Sequence, residues 1–490
     1  MKTPPLTRAL SDQLTWPLHN VKQTQSVDLM AQAQLAPHTL MQRAGLATAQ
    51  LALAIAPHAE DIWIACGPGN NGGDGFVAAT HLKAWGKNPF VTCLGNSENL
   101  PADAKDALNR AIAAGINIHA DAPQKFDLVV DALLGIGATR APHGTMMEWL
   151  ELIQRSNKPV LCVDVPTGLS ADTGEWLATS RPDCTYRHTL SLLTLKPGLF
   201  TADGRDAAGQ VWFNDLGVDA LPTPIAWLRQ NQKDRLINAH ASHKGSLGDV
   251  CILGGAPGMS GAAILAGIAA LHGGAGRVFL GLLDEASYHA ALAANPALMV
   301  RSSNNLSFDT STVVCGCGGG DAIRTHLAKA ISTAPRLVLD ADALNAIASD
   351  MMLQTLLKAR SARHSSTVLT PHPLEAARLL NSSVQAIQND RLYAAAQLAD
   401  KFKSVVVLKG SGTVIAQPGA TPVINGSGNA LLATAGTGDV LAGLIGAYIA
   451  NNSDTFNAVC QAVFAHGKVA NAWPSDGPVL EAASLAASVR

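Results

Sequence analysis

Short apolar runs alternate with longer Ala- and Leu-rich stretches along the chain, and this alternation predicts β-strands that are followed by helices. In the first half, four runs predict buried strands: DIWIAC (61–66), PFVTCL (89–94), DLVVDAL (127–133) and PVLCVDV (159–165). A polar and Ala-rich stretch, PADAKDALNRAIAAG (101–115), predicts a helix between two of them. This order is typical of an α/β domain with a parallel sheet.

The pattern restarts after VDALPTPIAWLRQNQKDR (218–235), a proline-bearing stretch in which we identify no clear strand. A strand is predicted at GDVCILGG (248–255), and helices are predicted at SGAAILAGIAALHGGAG (260–276) and from GTGDVLAGLIGAYIA (436–450) onward. A chain of 490 residues is too long for one ordinary core. We therefore predict two α/β domains, residues 1–222 and 223–490.

Composition narrows the class of protein. Apolar residues make up 48% of the chain and charged residues 15%, which is typical of a folded chain. The formal net charge is −2 and no basic tract is present, so we expect neither a nucleic-acid partner nor a membrane-surface partner. The N-terminus has no apolar core of a signal peptide, and no long apolar run predicts a membrane span. We expect a cytoplasmic protein.

The eight cysteines form no C-x-x-C pair. Cys315 and Cys317 are spaced as C-x-C, but no second ligand pair follows them. Buried, reduced thiols are therefore favoured over a metal site.

A glycine-rich segment, CGPGNNGGDG (66–75), lies between a predicted strand and a helix. Gly67, Gly69 and Gly72 have the G-x-G-x-x-G spacing of a dinucleotide-binding turn, where helix N–H groups bind phosphate. A hydride-transfer cofactor site also needs a carboxylate about twenty residues later, and NPFVTCLG (88–95) has none. A tight turn without a ligand stays an alternative.

Polar side chains follow three neighbouring strands of the first half. Asn71, Asp131 and Thr167 offer oxygen ligands, which suit a hard cation better than zinc. Asp164 also stands at a strand end. A single aspartate in such a position is often only a cap or turn residue, but residues at successive strand ends of an open sheet indicate a binding site.

The first half closely resembles the NAD(P)H-hydrate epimerase domain over about residues 20–218. The resemblance is carried by TLMQRAG (39–45), GPGNNGGDG (67–75), DALLGIG (131–137), DVPTGLSADTG (164–174) and LKPGLF (195–200). It implies that a hydrated, damaged NADH or NADPH is the substrate and that its two epimers are interconverted. It also implies Asp164 as the acid/base residue and a potassium ion at Asn71, Asp131 and Thr167.

The implied substrate contacts of this domain are Asn70, Asn71, Gly72, Gly73, Asp74, Gly135, Ile136, Gly137, Ala138, Thr139, Arg140, Ala141 and Asp164. The chain departs from the family pattern at Ile136, where a hydroxyl residue is usual, whereas Arg140 is kept in register.

The second half contains ATAGTGDVLAG (433–443), in which Gly436 and Gly438 precede a helix that we predict to begin at Asp439. Backbone N–H groups at such a start bind anions, and an aspartate there can act as a general base. In VVVLKGSGTVIA (405–416), the turn after the strand can hold a nucleotide through main-chain amides. No Walker A sequence is present, so the phosphate chemistry is not of the P-loop type.

The second half resembles the NAD(P)H-hydrate dehydratase family, with its ribokinase-like fold, over about residues 235–485. The motifs are HKG (243–245), LDADALN (339–345), LTPHPLE (369–375), LKGSGT (408–413) and TAGTGD (434–439). The resemblance implies phosphorylation of the hydrate's hydroxyl by ADP or ATP with a magnesium ion, and then loss of phosphate. Asp439 would be the base. One departure is Ala430, where the family commonly has proline.

By the same resemblance, the hydrate meets Ala262, Gly318, His372 and Asp439, and the nucleotide meets Lys409, Gly410, Ser411, Gly412, Thr413 and Gly438. The predicted architecture is thus an N-terminal Rossmann-like αβα three-layer domain and a C-terminal ribokinase-like α/β domain. Two alternatives remain: a vitamin-precursor kinase fused to a Rossmann module, and a non-catalytic nucleotide sensor. The sequence leaves homo-oligomerisation open.

Overall fold

The computed structural model describes residues 7–10, 14–178, 186–219, 221–231, 243–450 and 452–489. The chain divides into two compact units, Met1–Leu228 and Arg229–Arg490. The division falls inside the proline-bearing stretch 218–235. Our prediction that this stretch lacks a strand is wrong, because Ala226–Arg229 is a strand with two inward apolar residues, Ala226 and Leu228. This strand has only four residues, and polar and proline-rich segments flank it. Its alternation of apolar and polar residues is therefore too short to be recognised in the sequence.

The elements of the first unit follow the alternation expected from the sequence. In chain order they are β1 (Arg8–Ala9), β2 (Thr15–Leu18), α1 (Val21–Gln32), α2 (Thr39–Ile55), β3 (Asp61–Cys66), α3 (Asn70–Ala84), β4 (Asn88–Cys93), α4 (Ala102–Ala113), β5 (Ile118–His119), β6 (Leu128–Ala132), α5 (Thr145–Arg155), β7 (Val160–Val163), β8 (Arg187–Leu192), α6 (Gly204–Ala208), β9 (Gln210–Asn214) and β10 (Ala226–Arg229).

The main sheet of this unit has the strand order β1-β9-β8-β7-β6-β3-β4-β5. Only the edge pair β1 and β9 is antiparallel among the described pairings of this sheet. From β3 the chain moves outward to β4 and β5 and then returns to the other side of β3 as β6. Cys66 pairs with Cys93 on one side and with Ala132 on the other. The carboxyl ends of β3 and β6 therefore flank a topological switch point, where open α/β sheets bind ligands.

The elements of the second unit repeat this plan with different connections. In chain order they are β11 (Asp249–Gly254), α7 (Ser260–His272), β12 (Arg277–Leu282), α8 (Tyr288–Ala294), β13 (Met299–Ser302), β14 (Thr312–Cys315), α9 (Arg324–Thr333), β15 (Arg336–Leu339), α10 (Ala341–Ala348), α11 (Met351–Ala359), β16 (Ser366–Leu369), α12 (Pro373–Leu380), α13 (Val384–Asn389), α14 (Arg391–Phe402), β17 (Val405–Leu408), β18 (Val414–Ala416), β19 (Val423–Asn425), α15 (Thr437–Ala450), α16 (Thr455–Asn471) and α17 (Ala482–Ser488).

The strands of this unit run in the order β13-β12-β11-β14-β15-β16-β17-β18-β19. The pairs from β13 to β17 are parallel, whereas β18 is antiparallel to both of its neighbours β17 and β19. The switch point lies between β11 and β14. Small residues let α7 and α15 pack closely, since a Cβ added to Gly443 would lie 2.0 Å from the Ala266 carbonyl oxygen.

The helix that carries Asp439 begins earlier than the sequence suggested. We predicted a start at Asp439, but α15 begins at Thr437, and Asp439 lies in its first turn. Gly436 has φ +90°, a left-handed conformation that glycine adopts at low cost, and it closes the preceding loop. The helix can therefore start directly after it.

Both units are α/β structures with helices beside mostly parallel sheets, so the predicted fold class is confirmed. Seven cysteines are described; all are free, and six of them are buried. Cys184 lies outside the described residues. None of the helices in the described ranges combines the length and apolar character that crossing a bilayer requires.

Candidate active sites

The glycine-rich turn after β3 is shaped by backbone packing. The Gly67 N–H donates to the Ala132 carbonyl oxygen at 3.0 Å. A Cβ on Gly67 would lie 1.7 Å from the Leu133 carbonyl oxygen, and one on Gly72 would lie 2.1 Å from that of Gly67. A Cβ on Gly69 would meet nothing within 4 Å. Two glycines of the motif are thus required for packing, while Gly69 leaves open space at the N-terminus of α3.

Asp131 and Thr167 meet at the carboxyl end of the sheet, and both are buried. The Thr167 hydroxyl donates to Asp131 Oδ1 at 2.7 Å, and the Thr167 N–H donates to Oδ2 at 3.1 Å. The Leu134 N–H donates to Thr167 Oγ1 at 3.0 Å. Two of the three expected potassium ligands are therefore joined directly beside the backbone that follows β6.

Asn71 and Asp164 approach this backbone from two other elements. A Cβ on Gly135 would lie 3.3 Å from Asn71 Oδ1 and 3.5 Å from Asp164 Oδ2. Gly135 therefore lies beside both the amide and the carboxylate, and a Cβ there would be tight against Asn71 and in ordinary contact with Asp164.

The donor set fits a potassium ion. Asn71 Nδ2 is buried and has no hydrogen-bond partner in the described part of the chain, so its amide is not fully used by the protein. Turning that amide by half a rotation exchanges its oxygen and nitrogen. Together with Asp131 and Thr167, it offers amide, carboxylate and hydroxyl oxygens, which suit a hard cation.

Asp164 is fixed by its backbone and by one of its two oxygens. Its φ of +65° is uncommon outside glycine, and its N–H donates to the Leu190 carbonyl oxygen at 2.8 Å. Oδ1 accepts a hydrogen bond from the Leu192 N–H at 3.2 Å and forms an ion pair with Lys196 Nζ. Oδ2 is the oxygen that faces Gly135.

No motif of the sequence assigned a role to Lys196. It lies in LKPGLF (195–200), which served only to support the family resemblance. Its side chain is completely buried, and burial lowers its pKa although the Asp164 carboxylate acts in the opposite direction. A lone charged residue in the apolar segment LSLLTLKPGLF (190–200) was the available signal.

Further carboxyl groups surround Asp164. Burial raises the pKa of Asp74 well above its ordinary value, and the charges of Asp164, Asp28 and Asp103 raise it further. Burial also raises the pKa of Asp28. A protonated Asp74 can donate a hydrogen bond, which an ionised carboxylate cannot.

The other expected substrate contacts of the first unit are less clustered. Gly73 packs against α2, because a Cβ there would lie 2.5 Å from Met41 Cε. The remaining positions lie on an open surface or on the turn after β6, in which the Ala138 N–H donates to the Gly135 carbonyl oxygen at 3.2 Å. Of these positions, Asn70, Gly137, Thr139, Arg140 and Ala141 are exposed, and Ile136 and Ala138 are half-buried.

In the second unit, the loops after β11 and β14 are joined by backbone hydrogen bonds. The Ala256 N–H donates to the Gly318 carbonyl oxygen at 2.7 Å. Gly318 has φ +57°, and a Cβ there would lie 2.9 Å from the Ala262 Cβ. The structure thus brings Ala262 and Gly318, two expected hydrate contacts, next to each other at the switch point.

Asp439 belongs to a compact polar cluster. One ligand atom each of Cys317, Asp340 and Asp439 lies within 4.8 Å of the other two. Burial raises the pKa of Asp439 to about 6, and the Asp340 charge contributes to the rise. Burial also raises the pKa of the Cys317 thiol well above its ordinary value, so this thiol stays protonated.

The Lys409 side chain enters the same cluster. Its Nζ lies 2.7 Å from Asp340 Oδ1, which also accepts a hydrogen bond from the Thr370 hydroxyl at 2.7 Å. A Cβ on Gly438 would lie 3.4 Å from Nζ, so the ammonium is beside the start of α15. Burial alone would lower the pKa of Lys409, but the Asp340 carboxylate raises it overall. The sequence suggested only main-chain contacts for this residue.

The rest of the expected nucleotide loop is held by a buried arginine. Arg391 Nη2 donates to the carbonyl oxygens of Leu408 at 3.2 Å and Lys409 at 3.1 Å. Gly410 has φ +133°, and a Cβ there would lie 3.0 Å from Arg391 Nη2. The Thr413 hydroxyl donates to the Gly410 carbonyl oxygen at 3.1 Å. Gly410 and Ser411 form the exposed part of the loop, whereas Gly412 is buried.

His372 acts as a helix cap. Its Nδ1 accepts hydrogen bonds from the N–H groups of Leu374 at 3.1 Å and Glu375 at 3.3 Å, at the start of α12. Its Nε2 lies 3.1 Å from Glu375 Oε1, and 44% of the side chain is exposed. Both ring nitrogens thus have protein partners, and the exposed face of the ring is the part that remains for a substrate.

The polar cluster does not fit a resident magnesium ion. Magnesium prefers oxygen ligands in a regular octahedron, and a protonated thiol is a poor ligand for it. Asp340 already forms an ion pair with the Lys409 ammonium. Asp439 is therefore the carboxylate of this cluster that is not ion-paired with a lysine. Any magnesium ion would therefore have to arrive with the nucleotide phosphates.

Comparisons with known proteins agree with this two-site arrangement. Residues 37–198 match the family described as YjeF-related protein N-terminus, and residues 250–489 match NAD(P)H-hydrate dehydratase. The bifunctional NAD(P)H-hydrate repair enzyme of Escherichia coli (strain K12) is 37% identical over 454 residues, which cover 89% of this chain and 85% of that protein. The chain belongs to the bifunctional NAD(P)H-hydrate repair enzymes.

Other members of this family are similar over nearly the whole chain. The repair enzyme of Coxiella burnetii is 32% identical over 482 residues, with 94% of this chain and 95% of that protein covered. A solved structure, the ADP/ATP-dependent NAD(P)H-hydrate dehydratase of Bacillus subtilis co-crystallised with ATP and Mg²⁺, is 29% identical. It covers 52% of this chain and 91% of its own, with a TM-score of 0.46.

Family membership confirms the recognition made from the motifs and the expectation of a bifunctional enzyme, an isomerase and a lyase. It does not favour the vitamin-precursor kinase. The role of each site residue stays a prediction.

Proposed function

We propose that the first unit interconverts the epimers of hydrated NADH and NADPH, and that the second unit dehydrates the S epimer at the expense of ADP or ATP. This proposal rests mainly on one observation: each unit has an aspartate at the carboxyl edge of its own sheet. The aspartate is Asp164 in the first unit and Asp439 in the second. Family membership supports the substrate class.

In the first unit, we assign proton transfer to Asp164 Oδ2. As the carboxylic acid, it gives its proton to the ring hydroxyl while the carbon–oxygen bond breaks and water leaves. Water then adds to the opposite face of the ring and returns a proton to Oδ2. This assignment is supported by the position of Oδ2 beside Gly135, while Oδ1 is engaged by Lys196 and Leu192.

A potassium ion held by Asn71, Asp131 and Thr167 would supply positive charge close to a substrate phosphate or hydroxyl. The open space at Gly69 and the N–H groups at the start of α3 suit a dinucleotide phosphate. Asn70 to Asp74 and the turn of residues 135–141 remain the proposed substrate contacts.

In the second unit, Asp439 accepts the proton of the hydrate's hydroxyl as the oxygen attacks the terminal phosphoryl group of the nucleotide, whose phosphoanhydride bond breaks to release AMP from ADP or ADP from ATP. The phosphate ester then loses inorganic phosphate and a ring proton, which restores the double bond of NADH or NADPH. The N–H groups after Gly436 at the start of α15 and the Lys409 ammonium lie where they can stabilise the phosphoryl charge. A base with a pKa near 6 is suited to this step at neutral pH.

We place the hydrate against Ala262, Gly318 and the exposed face of His372, and the nucleotide along residues 409–413 and Gly438. The contact between Gly318 and Ala262 supports the first placement. The arginine-held turn at Gly410 supports the second, because it presents an exposed backbone.

The test is to incubate the full chain with both hydrate epimers, potassium, magnesium and either ADP or ATP, and to follow the absorbance of the reduced nicotinamide. We expect complete recovery of that absorbance together with release of inorganic phosphate. A phosphorylated product that accumulates without recovered absorbance would contradict the proposal and favour a kinase. The comparison of ADP with ATP identifies the preferred nucleotide.

A further inference from the structure

The buried ammonium of Lys196 is the starting observation. Its side chain has no exposed surface, and it lies in the loop between β8 and the short 3₁₀ turn at Pro197–Leu199. Besides the ion pair with Asp164, Nζ contacts the Leu192 carbonyl oxygen at 2.7 Å and Ser191 Oγ at 3.5 Å. Burying an unpaired ammonium is strongly unfavourable, so a lysine here needs Asp164 as its partner.

The two oxygens of Asp164 have different surroundings. Oδ1 has two donors, Lys196 Nζ and the Leu192 N–H, whereas Oδ2 faces Gly135 on the side of Asn71. A carboxylate is symmetric by itself, so without these donors its oxygens could exchange by rotation. Lys196 and the Leu192 N–H therefore hold Oδ1 together and leave Oδ2 toward Gly135.

Other charged groups face this pair from the elements around it. The Asp164 charge contributes to the raised pKa values of Asp74 and Asp28, and the Lys196 charge contributes to the lowered pKa of His19. Lys196 thus places a positive charge beside a group of carboxyls.

We propose that Lys196 is the positioning residue of the epimerase site, holding Asp164 Oδ1 so that Oδ2 alone exchanges protons with the hydrate. The inference rests on the proposed function of the first unit and names the residue through which its acid/base group is oriented. Lys196 itself does not need to touch the substrate.

The test uses the full chain with Lys196→Met, which removes the charge and keeps much of the apolar stem. The R and S epimers are separated by chromatography, and the rate of their interconversion is measured at several substrate concentrations. We expect kcat to fall about 10²-fold with little change in KM, because a misplaced reacting group costs about this much. Dehydration by the second unit is the internal control and should be unchanged.

Two further variants separate positioning from packing. Lys196→Gln keeps a donor for Oδ1 without the charge, and we expect it to lose less activity than Lys196→Met. Thr194→Val is the matched control, because Thr194 is buried in the same loop but pairs with the Thr24 hydroxyl at 2.7 Å. It should keep wild-type epimerisation. Hydrogen exchange of the β3 and β6 amides reports whether each variant retains the fold of the first unit.

The double variant Asp164→Asn with Lys196→Met gives the decisive comparison. If Lys196 acts through Asp164, adding Lys196→Met to Asp164→Asn causes no further loss. The inference is overturned if folded Lys196→Met keeps kcat within about twofold of wild type, or if the two losses multiply. It is also overturned if Thr194→Val loses as much activity as Lys196→Met. Full epimerisation by Asp164→Asn would instead contradict the proposed function itself.

Discussion

The two units use the same arrangement of sheet and loops but surround their aspartates differently. In the first unit, a buried lysine is bound directly to Asp164. In the second, Lys409 is bound to Asp340, and Asp439 stands beside that pair with a pKa raised to about 6. The switch point thus fixes where each site forms, whereas the position of one lysine decides which carboxylate is held in an ion pair, Asp164 in the first unit and Asp340 in the second.

The difference suits the two reactions that we propose. Epimerisation needs one group that both gives and takes a proton, and an oriented carboxyl with one presented oxygen can do so. Phosphoryl transfer needs a base that accepts a proton once near neutral pH while a positive charge remains close to the phosphate. We make four predictions about this difference, beginning with the strongest effect.

The largest effect is expected from Asp439→Asn. It keeps the shape of the side chain but removes the base, so dehydration should fall by about 10²- to 10⁴-fold. Epimerisation of the R and S forms should stay at the wild-type rate, because Asp439 belongs to the other unit. Asp321→Asn, an exposed carboxylate of the same unit, is the control and should change neither rate. Wild-type dehydration by Asp439→Asn would remove Asp439 from the mechanism.

The second prediction concerns the ion pair of the second unit. Lys409→Met leaves the buried Asp340 carboxylate without its partner, and we expect this to lower the free energy of unfolding by about 3 to 5 kcal/mol. Combining it with Asp340→Asn should restore most of that loss. Chemical denaturation of the second unit measures both variants, with the exposed Lys358→Met as a control. If Lys409→Met alone were as stable as wild type, the ion pair between Lys409 and Asp340 would have no structural role.

The third prediction compares two glycines of one motif. Gly67→Ala would place a Cβ 1.7 Å from a backbone oxygen, and we expect a loss of about 3 kcal/mol in the free energy of unfolding of the first unit. Gly69→Ala meets open space and should change stability by less than about 0.5 kcal/mol. Denaturant unfolding of the two variants side by side tests the difference. Equal stability would contradict the packing account of the motif.

The fourth prediction is a pH dependence of dehydration by the second unit. Asp439 must be ionised to accept a proton, so kcat/KM for dehydration should fall as the pH drops through about 6. Asp340→Asn removes a charge that raises this pKa, so the fall should move to lower pH. Rates measured on both sides of pH 6 test this. If Asp340→Asn had the same pH profile as wild type, Asp340 would not affect the pKa of Asp439.

Local sequence patterns predicted the strands and the polar residues at their ends, because burial and turn chemistry are local. The first long apolar run and β3 coincide at residues 61–66. Long-range pairings were out of reach: Lys196 meets Asp164 across 32 residues, and Lys409 meets Asp340 across 69. These contacts depend on loop geometry that only the assembled sheets define. The role of His372 as a cap was also missed, since histidine is not a common N-cap residue.

We propose that one chain carries two chemically independent sites, and a complementation assay can separate them. Asp164→Asn and Asp439→Asn are each incubated alone, and then together, with both hydrate epimers and ADP or ATP. We predict that Asp164→Asn rapidly recovers only the S share, that Asp439→Asn recovers none, and that the mixture recovers all of the reduced nicotinamide. Rapid recovery of both epimers by Asp164→Asn alone, or a mixture that does no better than its components, would contradict the account.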